Sequence, residues 1–152
     1  MGGSDMGSAV LLVANRTANT DRLRGAVSER ASRGARAFHL VVPAVPHGLH
    51  RLVDPEVAGR EEAQAVLALA LPSLSGAAGF EVSGEVGSAD PLAAIQDALA
   101  GGGFDEIVVS TLPHRASRWL RVDLPSKARG LGLPVAHVEA ETVPEPVLAV
   151  DP

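Results

Sequence analysis

The run of six apolar residues at positions 9–14, AVLLVA, places the strongest constraint on how this chain folds. A run without polar positions leaves no face for water, so it predicts a strand at the centre of a sheet that is covered on both sides. Four further runs, apolar or rich in β-branched residues, predict the remaining strands at residues 37–42, 80–86, 107–109 and 133–138.

Segments with helical character lie between these runs. The first begins after a polar turn in which Asn19 or Thr20 can cap it. The second begins at about Glu56, and Pro72 is expected to kink or end it. Two more are predicted after Asp90 and over residues 124–131. Because strands alternate with helices, the chain is predicted to be a single-domain, three-layer α/β sandwich around a parallel sheet.

Composition excludes several classes of protein. With 152 residues, 46% of them apolar and 20% charged, the chain has the size and composition of one globular domain. It has no cysteine, which excludes disulfides and thiolate metal sites and agrees with a cytoplasmic location. A net charge of −5 argues against nucleic-acid binding, and no apolar run approaches the roughly 18 residues that span a membrane. We expect a flexible leader at residues 1–8, the domain at 9–140 and a proline-rich tail at 141–152.

Basic residues are concentrated after the fourth predicted strand, although the chain as a whole is acidic. Ser110, Thr111 and His114 form a predicted turn at the carboxyl end of that strand, where ligands bind in open α/β sheets. Five of the 13 basic residues then fall within fifteen positions, opposed only by Asp123: Arg115, Arg118, Arg121, Lys127 and Arg129.

Short motifs in the second half of the chain resemble those of universal stress protein domains. Val86-Gly87, Asp90-Pro91 and Phe104-Asp105 are similar, in order and spacing, to the family's G-D-P…I…A…A-D-L-I-V-V-G progression. Leu133-Pro134-Val135 is similar to the C-P-V that opens the family's last strand. The resemblance implies an adenine nucleotide alpha hydrolase-like fold with strand order 3-2-1-4-5, and a homodimer. One branch of the family binds ATP.

The ATP-binding loop of that branch, Gly-x2-Gly-x9-Gly-Ser/Thr, is degenerate here. On the same spacing its glycines are replaced by Ser110, Pro113 and Asp123, and its Ser/Thr by Leu124. Glycines let backbone N–H groups approach phosphates, whereas proline has no N–H and an aspartate repels phosphate. Asn15 stands where the family has an acid after strand one. The resemblance therefore implies weak or absent ATP binding, with an ATP-binding protein that has an atypical loop as an alternative.

A small-anion site is one interpretation of the basic stretch. Arg115, Arg118 and Arg121 are spaced i, i+3, i+6, so on a helical turn they would share one side and could bind phosphate or carboxylate. The competing interpretations are a solvated basic face, or arginines paired with acids across a dimer interface. AMP, ATP or another phosphorylated metabolite is the candidate ligand, and the candidate binding residues are Asn15, Ser110, Thr111, His114, Arg115, Arg118, Ser126 and Lys127.

Two other functional classes share residue types with this chain. Ser110, His114 and Asp123 supply the residue types of a hydrolase triad, but Ser110 lacks the G-x-S-x-G elbow, so a binding or regulatory module is expected rather than an enzyme. Residues 17–21, TANTD, resemble the T-G-N-T-E phosphate loop of flavodoxins, which carry electrons on FMN. Ala18 replaces the loop glycine, and the competing interpretation is a plain helix cap.

The histidines do not predict a metal site. His47 and His50 lie three residues apart in a loop, without a nearby cysteine or third histidine to complete a tetrahedral set. His39 alternates with apolar neighbours on the second predicted strand and is expected to be a hydrogen-bonded core residue.

Overall fold

The computed structural model describes residues 7–45 and 55–142. The first six residues of the predicted leader, the loop histidines His47 and His50, and the tail from residue 143 lie outside the described residues.

Five parallel strands form one sheet in the order β3-β2-β1-β4-β5. This confirms the predicted order and class. Flavodoxins have the order 2-1-3-4-5, so the flavodoxin-like alternative is wrong. The strands are β1 (Ala9–Val13), β2 (Ala37–Pro43), β3 (Ser83–Gly87), β4 (Glu106–Thr111) and β5 (Val135–Glu139).

Helices cover both faces of the sheet. On one face lie the first two, which pack Leu23, Val27 and Leu74 against it; the third and fifth cover the other face with Ile95 and Leu124. Thr20, not Asn19, caps the first helix, because its hydroxyl accepts a hydrogen bond from the Leu23 backbone N–H. The helices are α1 (Asp21–Ser32), α2 (Pro55–Ala78), α3 (Pro91–Gly101), α4 (Arg118–Arg121) and α5 (Leu124–Arg129), with a 3-10 turn at His114–Ala116 before α4.

The central strand β1 joins the two halves of the core. Val10 and Leu12 belong to the cluster beneath α1 and α2, whereas Leu11 and Val13 belong to the cluster beneath α3 and α5. All four side chains are fully buried. Burial of each such side chain stabilises the fold by about 1.5–3 kcal/mol, which explains why the apolar run predicted the sheet so directly.

Pro72 was expected to kink or end α2, and it does not end it. The helix continues to Ala78, and Gly79, with a φ of 85°, follows its last turn. Pro72 lies on the exposed side of α2, and so does Ala68, whose carbonyl loses its partner to the proline. Water can bond that carbonyl, while Leu74 continues the buried stripe beyond the proline.

Several strand boundaries also differ from the prediction, including the start of β5 at Val135 rather than Leu133, and two of the differences have a clear cause. Strand β3 begins at Ser83 rather than Phe80, because Phe80 is held by stacking on Phe38, with ring centroids 5.8 Å apart, and not by strand pairing. Ser110 and Thr111 are the last residues of β4 rather than a turn, and each is buried.

Candidate functional site

A cavity of about 200 Å³ opens where β1, β2 and β4 end, and we call it the carboxyl-end cavity. This edge of the sheet is where open α/β folds bind ligands. Its lining residues follow β1 or β2, end β4, or lie between β4 and the first two residues of α4: Asn15, Arg16, Thr17, Val45, Ser110, Thr111, Leu112, Ala116, Ser117, Arg118 and Trp119.

Buried hydroxyl groups form one wall of this cavity. The hydroxyls of Thr17 and Ser110 lie 2.6 Å apart, and both residues are at most 2% exposed. The Thr111 hydroxyl donates to the Leu112 carbonyl at 3.0 Å and lies 2.8 Å from Nε2 of His137 on β5. These bonds hold the hydroxyls in place, so the wall presents fixed polar groups to a ligand.

Asn15 contributes an acceptor without a donor. Its side-chain Nδ2 donates to the Pro43 carbonyl at 2.6 Å, which fixes the amide orientation, because the reverse orientation would set two oxygens against each other. Asn15 is only 6% exposed, and its Oδ1 has no hydrogen-bond partner among the described residues. Leaving a buried acceptor unpaired costs about 1–3 kcal/mol, which is typical of a functional position.

The charge of the lining is positive. Arg16 and Arg118 both line the cavity, and no aspartate or glutamate does so among the described residues. Neither arginine makes a salt bridge to a described residue, whereas Arg30 on α1 is held by Glu106 at 2.8 Å. Two unpaired guanidinium groups beside fixed hydroxyls favour an anionic ligand.

The structure brings together half of the predicted binding residues. Asn15, Ser110, Thr111 and Arg118 line the cavity. The other four, His114, Arg115, Ser126 and Lys127, are exposed and do not line it.

Arg115, Arg118 and Arg121 do not share one helix, and that prediction is wrong. Arg115 belongs to the 3-10 turn, and Ser117 is extended, with φ −91° and ψ 116°, before α4 begins. The Ser117 hydroxyl accepts from the Leu120 backbone N–H at 3.1 Å, so it caps α4 and separates the two turns.

Seven of the eleven lining residues were not among the predicted binding residues, and four of the seven are polar or aromatic: Arg16, Thr17, Ser117 and Trp119. Arg16 lies in the polar turn before the first helix, and Thr17 opens the segment that resembles the flavodoxin phosphate loop. Their position directly after the central strand was the signal that could have placed them at the cavity.

At the third glycine position of the degenerate ATP-binding loop, Asp123 adopts a backbone conformation typical of glycine. Asp123 has φ 56° and ψ 46°, the left-handed conformation that glycine adopts most readily. It is exposed and does not line the cavity, so its carboxylate does not face a ligand there, contrary to the expectation of direct repulsion. Ser110, at the first glycine position, instead fills the wall with a side chain bonded to Thr17.

His137 links this cavity to strand β5. Burial lowers the pKa of the imidazole below its ordinary value; Glu139 opposes that shift, and Arg129 and His114 add to it. Since Nε2 contacts the Thr111 hydroxyl, the protonation of His137 bears on the cavity wall.

Of Ser110, His114 and Asp123, which supply the residue types of a hydrolase triad, only Ser110 lines this cavity. The Ser110 hydroxyl bonds that of Thr17, whereas His114 and Asp123 are exposed and do not line the cavity. Within residues 7–45 and 55–142 no group of three histidine, cysteine or acidic side chains could hold a metal. In the same ranges no helix is long and apolar enough to cross a membrane.

His39 is hydrogen-bonded, as predicted, but it is not a core residue. Its side chain is 23% exposed and pairs with Glu85. The polar pairing with the edge strand β3 explains the exposure, since an edge strand leaves one side open to water.

Comparisons with known proteins agree with this architecture. No protein-family model matches the sequence, and no curated protein matches it. A universal stress protein from Archaeoglobus fulgidus superposes with a TM-score of 0.58 over 90% of this chain and 97% of that one, at 17% identity. A universal stress protein crystallised in complex with cAMP superposes with a TM-score of 0.58 over 88% and 97%, at 16% identity. The chain therefore has the universal stress protein fold.

Proposed function

We propose that this chain is a cytoplasmic binding or regulatory module whose carboxyl-end cavity holds a compact anion, such as a phosphorylated metabolite. One observation carries the proposal: the described lining has two arginines without salt-bridge partners and no carboxylate. Within the described lining, no nucleophilic side chain is hydrogen-bonded to a basic one. The cavity is therefore suited to binding a ligand rather than to catalysing a reaction.

Size and backbone chemistry disfavour a whole triphosphate. The cavity, at about 200 Å³, is smaller than the about 300–1,000 Å³ typical of sites that enclose drug-sized ligands. Pro113 offers no backbone N–H where the family's loop has its second glycine. The structural neighbour in complex with cAMP holds a nucleotide with a single phosphate, which agrees with a ligand of low charge. ATP binding through the atypical loop is the competing function.

We further propose that the module is a homodimer joined through β5. This strand lies at the end of the sheet order and pairs with β4 on one side. All five of its residues are half-buried rather than exposed, three of the five are apolar, and an edge strand leaves backbone N–H and C=O groups that can pair with another chain.

Thermal unfolding with a ligand series tests the anion proposal. Inorganic phosphate, AMP, cAMP and MgATP are added at equal concentration and matched ionic strength. We expect phosphate or a monophosphate nucleotide to raise the midpoint, because a ligand at 100 times its Kd adds about 2.7 kcal/mol to the free energy of unfolding. MgATP should raise it less. A larger rise with MgATP would favour the atypical ATP site, and no rise with any of them would indicate a solvated basic face.

A further inference from the structure

The amino-terminal ends of β1, β2 and β3 border a second cavity, of about 510 Å³, which we call the amino-end cavity. It lies at the opposite edge of the sheet from the carboxyl-end cavity. His39, Ser83 and Glu85 line it, together with Arg36, Phe104 and the backbone of residues 101–103. Its volume is within the range of sites that enclose small ligands.

Three of these side chains form one hydrogen-bonded chain. The Ser83 hydroxyl lies 2.7 Å from His39 Nδ1, and His39 Nε2 lies 2.8 Å from Glu85 Oε2. Strand pairing produces this arrangement, because His39 is the register partner of Ser83 and Glu85 follows two residues later on the same face.

The acid fixes which ring nitrogen carries the proton. Glu85 can only accept when ionised, so Nε2 of His39 must donate to it. Nδ1 of a neutral imidazole is then an acceptor, and it faces the Ser83 hydroxyl. The other acceptor near that hydroxyl, the Phe38 carbonyl, is more distant at 3.4 Å. A serine, a base and an acid that orients the base are the three roles of a hydrolase triad.

The surroundings suit a reaction rather than a structural bond alone. Ser83 is exposed, so a substrate can reach its oxygen. The Phe104 ring lies 6.2 Å from the His39 ring and restricts its orientation. Arg36, which makes no salt bridge to a described residue, and the exposed backbone of residues 102–103 offer donors to a developing oxyanion in the same cavity.

We propose that Ser83, His39 and Glu85 form a hydrolytic site for small carboxylic esters. Ser83 Oγ attacks the ester carbonyl while its proton passes to His39 Nδ1. The bond between the carbonyl carbon and the alkoxy oxygen of the ester then breaks, and the leaving alcohol takes that proton from His39. Water then attacks the acyl group on Ser83 with the same base, which releases the acid and restores the hydroxyl. Glu85 is a positioning residue, since it acts through His39.

A fluorophosphonate probe tests the nucleophile in the full chain. We expect modification of Ser83, located by peptide mass spectrometry, and slow turnover of p-nitrophenyl acetate. Ser83→Ala should abolish both, and His39→Gln should slow both by at least about 100-fold, the lower end of general-base catalysis. Ser88→Ala is the matched control, because Ser88 is an exposed serine at the other end of β3 whose hydroxyl accepts from the Asp90 backbone N–H.

Variants of Glu85 distinguish a role in orienting His39 from a role in the stability of the fold. Glu85→Gln keeps an acceptor for Nε2 and should retain more of the labelling rate than Glu85→Ala, at equal unfolding midpoints. The proposal is overturned if Ser83 reacts no faster than Ser88, if His39→Gln leaves the rate unchanged, or if labelled Ser83 is accompanied by no ester turnover.

Discussion

The two cavities each contain a serine at a strand end, and the hydrogen-bond partner decides what that serine can do. In the carboxyl-end cavity Ser110 is 1% exposed and bonded to another hydroxyl, that of Thr17. In the amino-end cavity Ser83 is exposed and bonded to an imidazole that Glu85 orients. A neighbouring hydroxyl does not take up the proton of a serine hydroxyl, whereas a neutral imidazole can accept it.

The charges of the lining residues also differ between the two cavities. Arg16 and Arg118 make the described lining of the carboxyl-end cavity purely cationic. The amino-end cavity mixes Arg36 with Glu85 and Asp97. Under the two proposals, the sheet has a binding site at the carboxyl ends of its strands and a reactive site at their amino ends, and local chemistry rather than the fold assigns each role.

The largest effect is expected from a substitution in β5, the edge strand that lies beside the carboxyl-end cavity and not beside the amino-end cavity. The Ala140 N–H bonds the Thr111 carbonyl and Ile107 N–H bonds the Pro134 carbonyl, so the N–H of Val135 points away from β4. Val135→Pro should therefore weaken the proposed homodimer by about 30-fold, since two symmetry-related bonds of about 1 kcal/mol each are lost. It should leave Ser83 labelling unchanged.

Light scattering measures this effect against concentration. The native chain should have twice the 15.6 kDa mass of one copy. Ala136→Pro is the control, because its N–H faces β4 and its loss should destabilise the fold instead. A native mass of one copy at micromolar concentration would contradict the dimer.

A smaller effect is expected from pH, again at the carboxyl-end cavity alone. Burial lowers the pKa of His137 in the folded state, so the unfolded chain binds a proton more readily around its ordinary value of about 6.5. The free energy of unfolding should be highest above that pH and fall as the pH drops through 6.5 towards the folded-state pKa. Chemical denaturation at several pH values checks this.

His137→Gln gives the matched profile for that measurement. It should flatten the decline below pH 6.5, because the group with the lowered pKa is removed. Identical pH profiles for the two proteins would show that His137 does not contribute.

The sheet was predictable because its central strand is wholly apolar and fully buried. β1 contains no polar residue, so no other placement satisfies it. The end of α2 was not predictable, since a rule about Pro72 considers only the helix backbone. Packing of Leu74 depends on which side of α2 faces the sheet.

The sites divide in the same way. Position after a central strand was enough to bring Asn15, Ser110 and Arg118 to one cavity. The contact between His39 and Ser83 joins residues 44 apart in sequence and depends on strand register. The sequence predicted that β3 begins at Phe80, whereas it begins at Ser83, so the pairing of Ser83 with His39 could not be predicted.

Calorimetric titration of inorganic phosphate into the native protein, Arg118→Ala and Arg115→Ala tests the central claim most directly. Arg118 lines the carboxyl-end cavity, whereas Arg115 is exposed outside the lining, three residues earlier. A charged hydrogen-bonding group contributes about 1.5–3 kcal/mol, so Arg118→Ala should weaken phosphate binding by at least about tenfold. Arg115→Ala should bind phosphate like the native protein. Equal affinities for all three proteins, or no heat of binding to the native protein, would contradict an anion site in this cavity.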